Sequence, residues 1–147
     1  MHPAKTFRFA PRFRGDPGVS AYRSRGVVRF SETDASGRFH HTSALRWAED
    51  TEHELYRAAG VPAVRFPRRA VSATFERPFA HGDDYVVELQ VQKLGSSSVT
   101  YAWRILAGDD VAVTGSHTVV HLDESGRPAP VPDPLRVTLD ALTAEAR

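Results

Sequence analysis

The stretch from Phe30 to Glu49 holds the residues whose types and spacing could do chemistry. A lone carboxylate, Asp34, opens a turn, Asp34-Ala35-Ser36-Gly37, that follows a strand-like segment. His40 and His41 come next, and then Thr42 and Ser43, either of which could cap a helix. This order puts an acid or base beside the backbone N–H groups of a helix start, where negative charge is favoured. An ionised carboxylate can take a proton from water or attack a carbonyl itself, and N–H donors steady the oxyanion that forms. That is equipment for acyl chemistry. The same residues also suit an ordinary turn in which the aspartate bonds its own backbone. Taken alone, the segment leaves both readings open.

Other polar residues have two readings as well. Glu49 and Glu52 fall on the helix that should follow, where solvated charge is the ordinary explanation. Glu52 sits between Leu45 and Leu55 on the apolar stripe, so partial burial is expected. His41 either packs at the helix entrance or turns its side chain to a substrate, since a neutral imidazole both donates and accepts. His40, in an extended segment, should point elsewhere, and His117 and His121 lie about 13 Å apart along a strand. Neither pair suits one ion, and we read no metal site and no cofactor. Arg65, Arg68 and Arg69 form a basic cluster, either solvated surface or a seat for phosphate groups. Trp47, Phe75, Tyr101 and Trp103 read as core or interface packing.

The elements that must position these residues follow from periodicity. Tyr22 to Phe30 reads as a strand. From Thr42 or Ser43, apolar residues recur at three- and four-residue steps through Leu45, Ala48, Leu55, Tyr56 and Ala59, until Gly60 and Pro62 stop the helix. The pattern then switches to period two. Val71, Ala73 and Phe75 form one strand, residues 84–94 a second, 99–105 a third and 111–122 a fourth, with Gly95-Ser96-Ser97 and Gly108-Asp109-Asp110 as turns. Asp133-Pro134 starts a short terminal helix carrying Leu135, Leu139 and Leu142. One long helix must therefore cover one face of an antiparallel sheet of about five strands, an α+β arrangement. The uncovered face and edge predict a homo-oligomer, dimer or tetramer, joined through the sheet.

Bulk properties exclude several classes. The 147 residues suit a single domain, with apolar and charged fractions of 41% and 25% and a net charge of +1. That balance gives no case for nucleic acid or membrane as partner. Absence of cysteine removes disulfides, thiolate metal sites and a Cys nucleophile. No apolar run could span a bilayer, so a cytoplasmic protein is expected. Residues 1–20 read as a basic arm, its prolines spoiling an amphipathic helix, and residues 21–147 as the domain.

Three blocks carry a family resemblance: Thr33-Asp34-Ala35-Ser36-Gly37 with His40-His41 and Trp47-Ala48-Glu49; Phe75-Glu76-Arg77-Pro78 through Gly82-Asp83; and Val120-His121-Leu122-Asp123 through Pro130. In this order, and with this element order, they resemble the hotdog-fold acyl-CoA thioesterases, on the branch of 4-hydroxybenzoyl-CoA and Tol-Pal-associated thioesterases. The resemblance implies a hotdog fold and hydrolysis of an acyl thioester of coenzyme A or of an acyl carrier protein. It places the catalytic carboxylate on Asp34 and the carbonyl-polarising backbone N–H on His41. Glu49 is a second candidate, because a sister branch draws its carboxylate from the helix. Gly37, His40, Thr42 and Ser43 would border the substrate, and Arg65, Arg68 and Arg69 would meet its phosphates. Departures are Ser43-Ala44 where Asn-Tyr is frequent, and His40 where Tyr or Trp is common. Two rivals stand beside this reading: a hotdog dehydratase of hydroxyacyl or enoyl thioesters using His40, His41 or His81, and a non-catalytic module that binds an acyl or aromatic ligand.

Overall fold

The alternating second half of the chain, joined by an early strand, becomes one five-stranded antiparallel sheet. In the computed structural model, which describes residues 21–143, the strands are β1 (Tyr22–Val27), β2 (Arg68–Phe75), β3 (Asp84–Leu94), β4 (Ser98–Ala107) and β5 (Asp110–Val120). Their spatial order is β1-β3-β4-β5-β2, so β1 and β2 form the two edges. The basic arm lies outside the described residues. Helix α1 (His41–Ala58) crosses one face, and α2 (Asp133–Ala141) closes the end of the sheet, where Arg136 donates to the carbonyls of Gly95 and Ser96.

Period-two alternation delivers the inward face. Val87, Leu89 and Val91 of β3, Val99, Tyr101, Trp103 and Ile105 of β4, and Val113 and Val119 of β5 are all buried. Strand β1 is shorter than the sequence predicts. Beyond Val27 the chain leaves the ladder into a 3-10 turn, Phe30–Glu32, because the Arg29 N–H donates to the Glu32 carboxylate at 2.8 Å.

Helix α1 keeps Ala48, Leu55 and Tyr56 of the expected stripe but buries a wider face. It buries Ala44, Trp47, Ala48, Thr51, Glu52, Leu55 and Tyr56, and leaves Leu45 at the margin. The cause is Trp47. Its ring stacks on Tyr85 at 4.0 Å and on Phe39 at 5.6 Å, with Phe79 edge-on. Its indole N–H donates to Glu32 at 2.8 Å. So large an aromatic side chain, with its donor satisfied, outweighs one leucine in deciding which residues the helix buries.

Glu52 is more than partly buried: it is fully enclosed. One carboxylate oxygen accepts from Arg68 at 2.6 Å and pairs with His117 Nε2 at 2.8 Å; the other accepts from the Tyr56 hydroxyl at 2.5 Å. Tyr101 extends the network, 2.9 Å from the Tyr56 oxygen. The Trp103 indole, a donor only, gives its hydrogen to His117 Nδ1 at 3.1 Å. The His117 proton therefore sits on Nε2, facing Glu52. Burial alone would raise the Glu52 pKa, but the His117 hydrogen bond and the Arg68 charge outweigh it and hold the carboxyl below its ordinary value.

Gly115 makes room for this network. It pairs with Trp103 across the sheet, and an added Cβ would collide with the indole ring and lie 2.6 Å from the Ser72 carbonyl oxygen. Gly115→Ala should therefore cost about 2 kcal/mol or more in urea unfolding, as overpacking against a fixed backbone does. An unchanged midpoint would mean that the indole has another resting place.

Glu52→Gln should lose about 3 kcal/mol at neutral pH, since Arg68 is left without its counter-charge. A depressed carboxyl contributes stability that is complete above its unfolded value, near 4.5, and is lost as pH falls through the lower folded value. The deficit of the variant should thus shrink as pH drops below about 4.5, a comparison in which other carboxylates cancel. A deficit constant through that window would show that Glu52 is not held ionised.

Candidate active site

The loop before α1 is a miniature hairpin. Thr33 bridges Phe39, the Asp34 N–H donates to the Arg38 carbonyl at 2.8 Å, and Gly37 turns the chain at φ +81°. Phe39 fixes the hairpin to the body, its ring packed in the Trp47 cluster and its N–H donating to the Phe79 carbonyl at 2.8 Å. Asp34 is held at the tip. Its Oδ1 accepts from the Ser36 N–H at 2.8 Å and the Ser36 hydroxyl at 2.5 Å. These bonds lower its pKa, so the exposed carboxylate is ionised at neutral pH. The aspartate turn is thus real, yet it occupies one oxygen. Oδ2 has no partner among the described residues.

Helix α1 starts two to three residues earlier than a cap at Thr42 or Ser43 predicts. The N-cap is His40, not Thr42 or Ser43. Its Nδ1 accepts from the Thr42 N–H at 3.2 Å and lies 2.7 Å from the Thr42 hydroxyl. The Ser43 hydroxyl is spent on the Glu32 carbonyl at 3.0 Å, and its N–H on the His40 carbonyl at 2.9 Å. That leaves His41, first residue of the helix, with a backbone N–H that meets no acceptor among the described residues. The two imidazoles do not point apart as alternation suggested. They stack at 4.4 Å, because the helix begins between them and ends the extended geometry.

Two cavities flank this helix start. One, of about 310 Å³, is bordered by His41, Phe75, Arg38 and Arg77, with Arg77 also paired to Asp110. The other, of about 250 Å³, runs between α1 and β2 from Thr42 towards Arg68, over Trp103 and His117. Glu49 lines this second cavity, partly exposed and 3.7 Å from His53. Within one chain it stands about 12 Å along the helix axis from His41, so the chain does not bring Glu49 to the open N–H. The expected arginine cluster divides: Arg65 and Arg69 are exposed, whereas Arg68 turns inward to Glu52. Sequence reasoning missed Arg38 and Arg77 as cavity residues. It weighed His117 only as a metal ligand, although its alternation in phase with Tyr101 and Trp103 marks it as inward-facing.

Residues 28–139 match the model of the thioesterase-like superfamily. A 1,4-dihydroxy-2-naphthoyl-CoA hydrolase of Synechococcus sp. (strain CC9311) is 30% identical over 133 residues, covering 79% of this chain and 87% of that protein. A putative esterase of Aquifex aeolicus is 26% identical over 118 residues, covering 76% and 90%. Among solved structures, a predicted thioesterase from Bacillus stearothermophilus superposes with a TM-score of 0.77 at 24% identity, over 87% of this chain and all of that one (100%). The match stands at the superfamily and its hotdog fold, broader than the 4-hydroxybenzoyl-CoA and Tol-Pal branch to which the motifs pointed. By a family match spanning most of its length, the chain belongs to the thioesterase-like superfamily.

Proposed function

We infer that the protein hydrolyses an acyl thioester of coenzyme A. The observation that carries this reading is the open His41 N–H at the start of α1, bordering one cavity and next to Thr42 of the other, with an ionised Asp34 on the loop that leads into the helix. A thioester carbonyl at the helix start would leave one cavity for the acyl group and the other for the thiol arm. Asp34 Oδ2 draws a proton from water, the resulting hydroxide adds to the carbonyl carbon, and the His41 N–H takes up the charge on oxygen. The intermediate then collapses, the C–S bond breaks, and the thiolate leaves. Thiolate is a good leaving group, so the site needs no strong general acid. Arg38 and Arg77, which border the cavity beside His41, supply cations for the phosphates of coenzyme A, whereas the exposed Arg65 and Arg69 lie at the other end of β2. Curated relatives that act on a naphthoyl ester of coenzyme A support that carrier over an acyl carrier protein. Edge strand β2 exposes Val71 and Phe75, which supports assembly into a dimer or tetramer.

Thiol release from a panel of acyl-CoA esters tests this reading. Asp34→Asn should lower kcat by about 100-fold or more, while the amide oxygen still accepts from Ser36 and preserves the loop. Equal rates for the two proteins would remove Asp34 from the mechanism. Loss of enoyl absorbance without free thiol would favour a dehydratase, and binding without turnover a ligand module.

The two roles of His41 separate cleanly. Proline is well tolerated at the first helical position and lacks the N–H, so His41→Pro should fold yet lose about 100-fold in kcat. His41→Ala keeps the N–H and should retain most activity. The reverse order would assign the work to the imidazole.

With the Asp34 carboxyl held below its ordinary 3.8, kcat/KM should show no acid limb until pH falls past that value. A limb near the ordinary histidine range would implicate an imidazole instead.

A further inference from the structure

We propose that His40 is a positioning residue for hydrolysis: its imidazole binds both donors of Thr42 and so leaves the His41 N–H as the single open donor of the helix start. The inference rests on the thioester reading above, which puts the substrate carbonyl at that donor. A helix begins with four backbone N–H groups that have no partner within the helix. In α1 these belong to His40, His41, Thr42 and Ser43. The His40 N–H donates to the Glu32 carbonyl at 2.8 Å, and the Ser43 N–H to the His40 carbonyl at 2.9 Å. The Thr42 N–H donates to His40 Nδ1 at 3.2 Å. Three of the four are satisfied, two of them by His40, and the one left over is that of His41.

The hydroxyls that usually cap a helix are spent elsewhere. That of Ser43 donates to the Glu32 carbonyl at 3.0 Å, and that of Thr42 lies 2.7 Å from His40 Nδ1. Because Nδ1 accepts the Thr42 N–H, it carries no hydrogen, and the Thr42 hydroxyl donates to it as well. Thr42 lines the cavity between α1 and β2, one residue beyond His41. Without His40, its two donors would compete with the His41 N–H for the carbonyl oxygen. The cap is itself held in place. Glu32 anchors the His40 N–H through its carbonyl and takes the Trp47 indole N–H on its side chain at 2.8 Å. Trp47 belongs to the helix that His40 caps, so loop and helix start are tied to each other twice. An oxyanion donor acts by being in place before the charge develops, and this closed set of bonds keeps it there. The His40 ring also stacks on that of His41 at 4.4 Å, so one residue supplies both a hydrogen-bond acceptor and an aromatic plate.

Two substitutions separate the acceptor from the plate. His40→Asn keeps a capping acceptor and removes the ring, whereas His40→Phe keeps a ring and removes the acceptor. On acyl-CoA esters that wild type hydrolyses, His40→Phe should lose about 10-fold in kcat with KM little changed, as when an interaction confined to the transition state is disturbed. His40→Asn should recover most of that loss. A Phe variant as fast as wild type, or an Asn variant as slow as the Phe variant, would overturn the assignment. Amide hydrogen exchange reads the cap without any hydrolysis. The Thr42 N–H should exchange slowly in wild type and His40→Asn, and about 10-fold or more faster in His40→Phe. That pattern in a protein that releases no thiol would keep the donor assignment and sink the hydrolase. A Thr42 amide that exchanges equally in all three proteins would sink the cap whatever the hydrolysis result.

Discussion

A single helix has to cover a five-stranded sheet, and the Glu52 carboxylate fixes where that helix lies. Through one buried group, α1 is joined to Arg68 of β2 and His117 of β5 directly, and to Tyr101 and Trp103 of β4 through Tyr56 and His117. Apolar contact alone would let the helix slide or roll with little loss, because hydrophobic attraction has no direction. Hydrogen bonds to a desolvated carboxylate do have direction, and each is costly to leave unmade. Burial of the charge is tolerable because Arg68 pairs with it and the other contacts satisfy its oxygens. The network therefore contributes position more than it contributes net stability.

The opposite end of the helix is fixed by different means. Trp47 is clasped by Phe39, Phe79 and Tyr85, and its N–H bonds Glu32. Glu32 in turn accepts from the Arg29 N–H through its side chain, and from the His40 N–H and Ser43 hydroxyl through its carbonyl. Loop, helix start and the 78–80 segment thus share one cluster, which sets the open His41 N–H and Asp34 relative to the two cavities. With the buried face of the helix held by one polar and one aromatic anchor, the neighbouring face of Thr42, Leu45, Arg46 and Glu49 borders the cavity between α1 and β2.

What the sequence disclosed and what it hid follow from the range of the interactions involved. The Asp34 turn, the helix stop at Gly60 and the strand alternation are set by neighbours within a few residues, and all were legible. The burial of Trp47 in place of Leu45 was not, because it depends on Tyr85 and Phe79 meeting Trp47 from distant segments. His40 escaped notice as a cap because an imidazole fills that role less often than the side chains of Ser, Thr, Asp or Asn. Arg68 was grouped with its basic neighbours, and only its pairing with Glu52, sixteen residues earlier, turns it inward. Within the candidate site, the carboxylate and the helix end were readable from one local segment. The walls of the cavities were not, since four separate elements supply them.

Joining a cavity residue to the core has a consequence for how this chain can change. Arg68 cannot be replaced by a neutral residue without leaving Glu52 uncompensated, and Glu52 cannot be replaced by an apolar residue without freeing Arg68 and the Tyr56 hydroxyl. Removing the charge at this position therefore requires a compensating substitution at Glu52, whereas Leu45 and Val71 on the side walls of the cavity have no polar partners to strand. Changes of side-chain size should be tolerated at the walls, and loss of charge should be resisted at Arg68. A residue held by a buried hydrogen-bonded shell keeps its orientation within a narrow range. The same bonds that set the helix on the sheet thereby set the orientation of a group that lines the cavity.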